Sequence, residues 1–372
     1  MSSPRIEVDL SKIRHNTQTV VGQLKACGIG VTSVTKAVCG HPAIARAMLN
    51  GGAKNLAEAR LSNVQRLRKA GVTCPITLIR SPMLSQADDV VHFCEASYNT
   101  EGAIIAALAA AAIRKGTVHG VILMVEMGDL REGIMPQDLG AMARQVVDMP
   151  GVALKGIGAN FACLSGTAPD AAKMKALSAL ANDIEGTCGP FLQTVSGGNS
   201  ANLPWALGGH ATGRINDLRL GEALLLGRDP VLGNHIAGLY KDAFTLVAEV
   251  IETDRKAVCP TASFANPALA KFSLVPTCNR QRLILALGHQ DTDIFGLSMP
   301  PGHRFVGATS DHLVIGADDA KLKVGSEVRF QMNYSALMQA MAAPDVATNL
   351  FGDRPALTVQ DAQGFGKHLA LV

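Results

Sequence analysis

The chain has 372 residues, enough for one large domain and a smaller one, and its formal charge of +3 comes from 34 Lys and Arg set against 31 Asp and Glu. Both signs are scattered along the chain, which leaves no electrostatic footprint for nucleic acid, and the nearest candidate for a membrane span, Ala103–Ile113, is too short and too rich in alanine. Eight cysteines without a CxxC pair (Cys27, Cys39, Cys74, Cys94, Cys163, Cys188, Cys259 and Cys278) and an N-terminus with no apolar signal core predict reduced thiols, no zinc site and a cytoplasmic protein.

β-branched runs alternate with helical segments from the start of the chain. The runs are Gly30–Thr35, Lys54–Ala57, Ile76–Ile79, Glu95–Asn99, Val118–Val125, Ala153–Ala159, Leu192–Val195 and Asp217–Leu220. Between them the pattern predicts helices such as Pro42–Asn50, Glu58–Lys69, Glu101–Lys115, Pro136–Asp148 and Asp170–Glu185. Several runs are apolar on consecutive residues, as strands buried on both faces are. Eight βα units in this span predict an α/β fold, a (β/α)8 TIM barrel over residues 10–233. Beyond it, Phe244–Thr253, Arg282–Ala286, Arg304–Val306, His312–Ile315 and Glu327–Met332 read as strands joined by turns, a C-terminal β domain over residues 234–372. Residues 1–9, with the strand-like Arg5–Val8, are expected to pair with that domain.

A barrel works at the C-terminal ends of its strands, so the residues there carry the chemistry. Lys36 ends the first run; a desolvated amine there is a nucleophile toward an aldehyde, and a solvated one is a plain strand end. Arg131, in GDLREG after the fifth run, can hold an oxyanion or pair with Asp129 or Glu132. Asn160 follows the sixth run, where a short amide can pack on a planar ring or simply turn the chain. In SGGNS after the seventh run, Asn199 and Ser200 suit a phosphate or an ordinary helix cap, and Gly221 does similar service after the eighth. Arg219 lies inside that last, otherwise apolar strand and needs an acceptor, a pyridine nitrogen or a carboxylate such as Asp217 or Glu222.

Taken together, EVDLSKIRHNT, VTK, GDLREG, VSGGNS, LRLGEALLLG and GATSDHL resemble the alanine racemase family of fold type III, within it the ornithine racemase group, over nearly the whole chain. The resemblance implies pyridoxal 5′-phosphate as cofactor, with Lys36 as its Schiff-base lysine and one of two catalytic bases. It implies that Arg131 faces the cofactor phenolate and the substrate carboxylate, and that Asn160 stands where the family commonly has a histidine on the ring face. Asn199, Ser200 and the backbone N–H groups of Gly221 and Glu222 would bind phosphate, and Arg219 the pyridine nitrogen. Such an arginine weakens the electron sink, which suits racemisation of a free amino acid over side reactions. A homodimer with composite sites is also implied.

Met124 stands where alanine racemases carry a carbamylated lysine, and KAVCGH lacks their tyrosine after the cofactor lysine. The partner's catalytic tyrosine falls in Thr261–Asn266, where Phe264 cannot move a proton. The second base is therefore sought in Asp311 and His312 first, then His289, Asp291, Cys278 or Ser310, with Tyr334 read as a buried structural residue. The ornithine racemase likeness points to a longer, basic side chain such as ornithine, lysine or arginine. The alternatives are a decarboxylase or aldolase of the same fold and a non-enzymatic cofactor carrier.

Overall fold

The computed structural model describes residues 4–189, 191–254, 281–317 and 322–352. A first strand, β1 (Arg5–Asp9), leads into helix α1 (Leu10–Ala26), whose first turn is capped by the Asp9 carboxylate accepting from the backbone N–H of Ser11 and Lys12. Eight parallel strands then close into a barrel: β2 (Gly30–Val34), β3 (Asn55–Glu58), β4 (Ile76–Leu78), β5 (Ala96–Asn99), β6 (His119–Val125), β7 (Val152–Ala159), β8 (Thr194–Ser196) and β9 (Asp217–Leu220). Closure is made by β2 and β9, in register from Gly30 opposite Asp217 to Ser33 opposite Leu220. The helices α2 (Pro42–Asn50), α3 (Leu61–Lys69), α4 (Ala87–Phe93), α5 (Gly102–Lys115), α6 (Pro136–Val147), α7 (Ala171–Cys188), α8 (Leu203–Leu207) and α9 (Glu222–Leu226) follow their strands in turn.

β6 shows why consecutive apolar residues mark a barrel strand. Val121, Leu123 and Val125 join the main core, while Ile122 and Met124 form a separate cluster with Tyr98. One face packs on helices and the other fills the bore. The segment read as a helix from Glu58 divides differently. Glu58 ends β3 as a fully buried carboxylate, and α3 begins at Leu61. None of the helices among the described residues is long and apolar enough to cross a membrane.

The rest is a mostly antiparallel sheet of β10 (Phe244–Asp254), β11 (Gln281–Ala286), β12 (Leu297–Ser298), β13 (His303–Ala308), β14 (His312–Ala317), β15 (Glu327–Met332) and β16 (Ala347–Phe351). β1 pairs antiparallel with β10 and parallel with β16, so the chain's first strand completes this sheet. The buried Arg5 fastens it there, donating to both Glu327 oxygens at 2.6 and 2.8 Å and to Glu7. Among the described residues, one α-helix interrupts a stretch that reads as strands and turns alone. It is α10 (Tyr334–Ala342), capped by Asn333, and it packs on the turn Lys36–Val38 at the end of β2.

Pairing of β6 with β7 slips by one residue, Val121 facing Leu154 and Ile122 facing Gly156, which leaves Lys155 as a bulge. There the backbone of β8 runs so close that a Cβ on Gly156 would stand 2.0 Å from the Thr194 carbonyl oxygen. Gly156→Ala is therefore expected to cost about 1–3 kcal/mol of stability, the usual range for overpacking. Thermal unfolding of the variant should show a Tm several degrees lower; an unchanged Tm would mean that the bulge yields freely.

Candidate active site

Lys36 opens a single 3-10 turn directly after β2. The turn is pinned to the neighbouring strand: Thr35 donates its hydroxyl to Glu58 at 2.6 Å, and Glu58 also accepts from Asn63 Nδ2 and the Ala59 N–H, both at 3.1 Å. Cys39 leaves the turn with φ 51°. Burial pushes the Lys36 amine below the ordinary lysine range; charge on Cys163 opposes the shift, and Arg131 and Arg219 reinforce it.

Arg219 is 4% exposed and faces the bore. Its Nη1 donates to the Tyr98 hydroxyl at 3.0 Å and to Ser196 Oγ at 2.6 Å, and its Nη2 to the Ala159 carbonyl at 2.7 Å. The guanidinium carbon lies 4.6 Å from the centre of the Tyr98 ring. Ser196 in turn donates its hydroxyl to Asp217, which also accepts from Thr32. The expected carboxylate partner is thus reached only through a hydroxyl, and Arg219 Nε–H has no protein acceptor among the described residues.

Asn160 is held at both ends of its amide. Nδ2 donates to Asp129 at 2.8 Å and Oδ1 accepts from Asn199 at 3.3 Å, so its plane is fixed. Asp129 does not pair with Arg131; its other oxygen takes the N–H groups of Cys163 and Leu164. Arg131 instead grips Glu132, with Nη2 at 2.6 Å. Asn199 caps the turn Ser200–Asn202 through the Ala201 N–H and donates to the Phe161 carbonyl, so its side chain braces the loop. Ser200 Oγ accepts the Ala223 N–H at 3.3 Å, joining the loop after β8 to α9. Glu222 begins α9; burial, followed by the charge of Asp229, raises its carboxyl to about 7.

These groups share one cavity of about 700 Å³ at the barrel mouth, lined by Lys36, Arg131, Asn160, Asn199, Ser200, Arg219, Gly221 and Glu222. Met124 adds an apolar wall. Two further residues line it: Cys163, in the loop after β7, and Tyr334, which α10 brings to the mouth while it also packs against the main core. Burial raises the Tyr334 hydroxyl above the usual tyrosine range. A strand-end thiol and a first-turn tyrosine carry no spacing that marks them out.

Asp311 and His312 are not brought to this cavity. They lie exposed at the start of β14, Asp311 accepting from Ser310 at 2.6 Å, with Asp291 and His289 on the adjacent turn. Phe264 and Cys278 lie outside the described residues. Among those described, the only residues other than glycine with positive φ are Cys39, Leu130 and Ala162, one in each of the loops that carry Lys36, Arg131 and Cys163. Backbone strain is thus concentrated at the mouth.

Residues 8–229 match the model of the alanine racemase N-terminal domain. The ornithine racemase of Acetoanaerobium sticklandii is 31% identical over 353 residues, covering 93% of this chain and 99% of its own. The lysine racemase of Thermotoga maritima is 34% identical over 350 residues, covering 93% and 98%. The crystal structure of alanine racemase from E. faecalis superposes with a TM-score of 0.71 at 21% identity, over 94% of this chain and 98% of that one, a likeness of fold. The matched barrel and the near full-length relatives place this chain in the alanine racemase family.

Proposed function

We propose that the chain is a pyridoxal phosphate-dependent racemase of a free amino acid with a longer, basic side chain. One observation carries the reading: a half-buried amine with lowered proton affinity, Lys36, opens on the same cavity as a buried arginine with a free N–H and a serine from the loop that meets α9. The donor set fits the cofactor. An amine for an aldehyde, a lone N–H for a pyridine nitrogen, and a hydroxyl with two nearby backbone N–H groups for a phosphate are all present.

Residues 10–233 would hold the cofactor. Lys36 Nζ would bind it and, once displaced by the substrate amine, carry a proton to or from Cα. Arg219 would meet the pyridine nitrogen, Asn160 would lay its fixed amide plane along the ring, and Ser200 with the N–H groups of Gly221 and Glu222 would hold the phosphate. Asn199 supports them as a brace. Arg131 would exchange Glu132 for the cofactor phenolate and the substrate carboxylate. When bound, pyridoxal phosphate supplies the electron sink that makes the Cα–H bond acidic enough to break. Ornithine and lysine, the substrates named for the two relatives, are the first to test.

Chiral analysis after incubating single L-amino acids in D2O checks the reaction. Inversion with deuterium at Cα is expected for ornithine, lysine or arginine, whereas amine or aldehyde release would favour a decarboxylase or an aldolase. Lys36→Ala should lose the visible band of lysine-bound cofactor and lower turnover by about 100-fold or more. A retained band would remove Lys36 from its role.

The mouth also carries the surface expected of a homodimer. Leu130 and Leu164, in the loops after β6 and β7, and Leu232, in the segment after α9, are 72, 65 and 73% exposed. Residues 234–372 of a second copy would cover them and bring Asp311 and His312 toward substrate. Leu130→Glu combined with Leu232→Glu should convert a dimer to monomers in sedimentation and lower activity in parallel; a stable, active monomer of the unaltered chain would end this part of the reading.

A further inference from the structure

Inversion at Cα needs two proton carriers, because a proton that leaves one face must be replaced from the other. Lys36 is one. The family's tyrosine position is Phe264, and Asp311 and His312 stand away from the cavity of their own subunit, so they could reach substrate only in a partner's cavity. The other carrier should be a titratable group on the cavity wall that enters from a different side from Lys36.

We propose that Cys163 is this second carrier, so that both proton-moving groups come from one subunit. The inference rests on the racemase reading above. Lys36 follows β2 and Cys163 follows β7, which stands three strands away around the barrel through β9 and β8. The two side chains therefore reach the shared cavity from separate sides of its mouth. Cys163 also lies on the loop that begins with Asn160, the residue whose fixed amide would cover the ring.

The thiol is built into place. The Asp129 carboxylate takes the Cys163 N–H at 2.9 Å, Ala162 before it holds φ 54°, and Asn199 Nδ2 donates to the sulfur at 3.3 Å. Cys163 is exposed, whereas the other described cysteines are buried or half-buried. Cys163 lines the same cavity wall as Lys36, Arg131 and Tyr334, so it lies among the groups that would surround substrate. An independent feature marks the same cavity for a ligand: Arg219, 4% exposed, keeps an unpartnered Nε–H there.

The balance is simple. As the Cα–H bond breaks, one carrier takes the proton and the electron pair stays with the substrate. A new C–H bond then forms on the opposite face with the proton of the other carrier. One group ends protonated and the other deprotonated, and exchange with water restores both. Lys36 would serve one enantiomer and Cys163 the other.

Cys163→Ser and Cys163→Ala holoenzymes provide the test, with racemisation and Cα deuteration followed from each enantiomer in D2O. Inversion should fall by about 100-fold or more in both directions. Deuterium wash-in with retained configuration should persist for one enantiomer only, and the lysine-bound cofactor band should remain. A readout apart from turnover is iodoacetamide labelling of Cys163, mapped by peptide mass: it should be slowed several-fold by pyridoxal phosphate together with ornithine or lysine. Near wild-type inversion in both variants would overturn the proposal, as would equal loss of exchange for both enantiomers or labelling that the ligands do not slow. One-sided exchange produced instead by Asp311→Asn or His312→Ala would also overturn it. If the unaltered enzyme inverts no amino acid, the racemase reading itself is what fails.

Discussion

A guanidinium in the bore of a barrel must find acceptors or destabilise the strands around it. Arg219 finds them on three other strands: the Tyr98 hydroxyl of β5, Ser196 of β8 and the last carbonyl of β7. The charge is balanced at one remove, since Asp217 accepts from the Ser196 hydroxyl and from the Thr32 hydroxyl of β2. A buried cation whose counter-charge is relayed through a hydroxyl leaves its Nε–H to spare. The same network explains Gly158 on β7, where a Cβ would lie 3.0 Å from the Tyr98 ring and 3.2 Å from Arg219 Nη1. Position, charge and free donor of Arg219 are thus set by the closure of the barrel itself.

The loops carry the opposite character. The three residues held at positive φ without being glycine each flank a group of the site, at roughly 1–3 kcal/mol apiece. Such conformations persist only where surrounding contacts over-determine them. Glu58 with Thr35 and Asn63 does this for the Lys36 turn, and Asp129 with the Cys163 and Leu164 N–H groups does it for the loop after β7. The rigid strands fix the Arg219 end of the cavity, and these two buried carboxylates fix the loops that carry Lys36 and Cys163.

Much of this was legible in the residues, because strand periodicity and strand-end position need no long-range information. The eight strands, Lys36, Arg219 and Ser200 follow from local pattern. The failures share one physical cause. Glu58 reads as a helix start, yet its burial depends on Thr35 and Asn63 arriving from other segments. Tyr334 and Cys163 have no local signature, since α10 and the loop after β7 reach the cavity only through tertiary packing.

The placement of α10 bears on how one subunit could hold the whole reaction. This helix belongs to the part of the chain beyond the barrel, yet it sits on the Lys36 turn and supplies Tyr334 to the same chain's cavity. The Lys36 side of the mouth is therefore walled by its own subunit. The exposed leucines lie elsewhere, in the loops after β6 and β7 and in the segment after α9. A second copy covering them would exclude water from the mouth, and water there competes for every proton in transit. That duty needs apolar area rather than a proton-moving group, so a partner segment bearing Phe264 in place of a tyrosine is compatible with a dimer in which each subunit keeps both of its carriers.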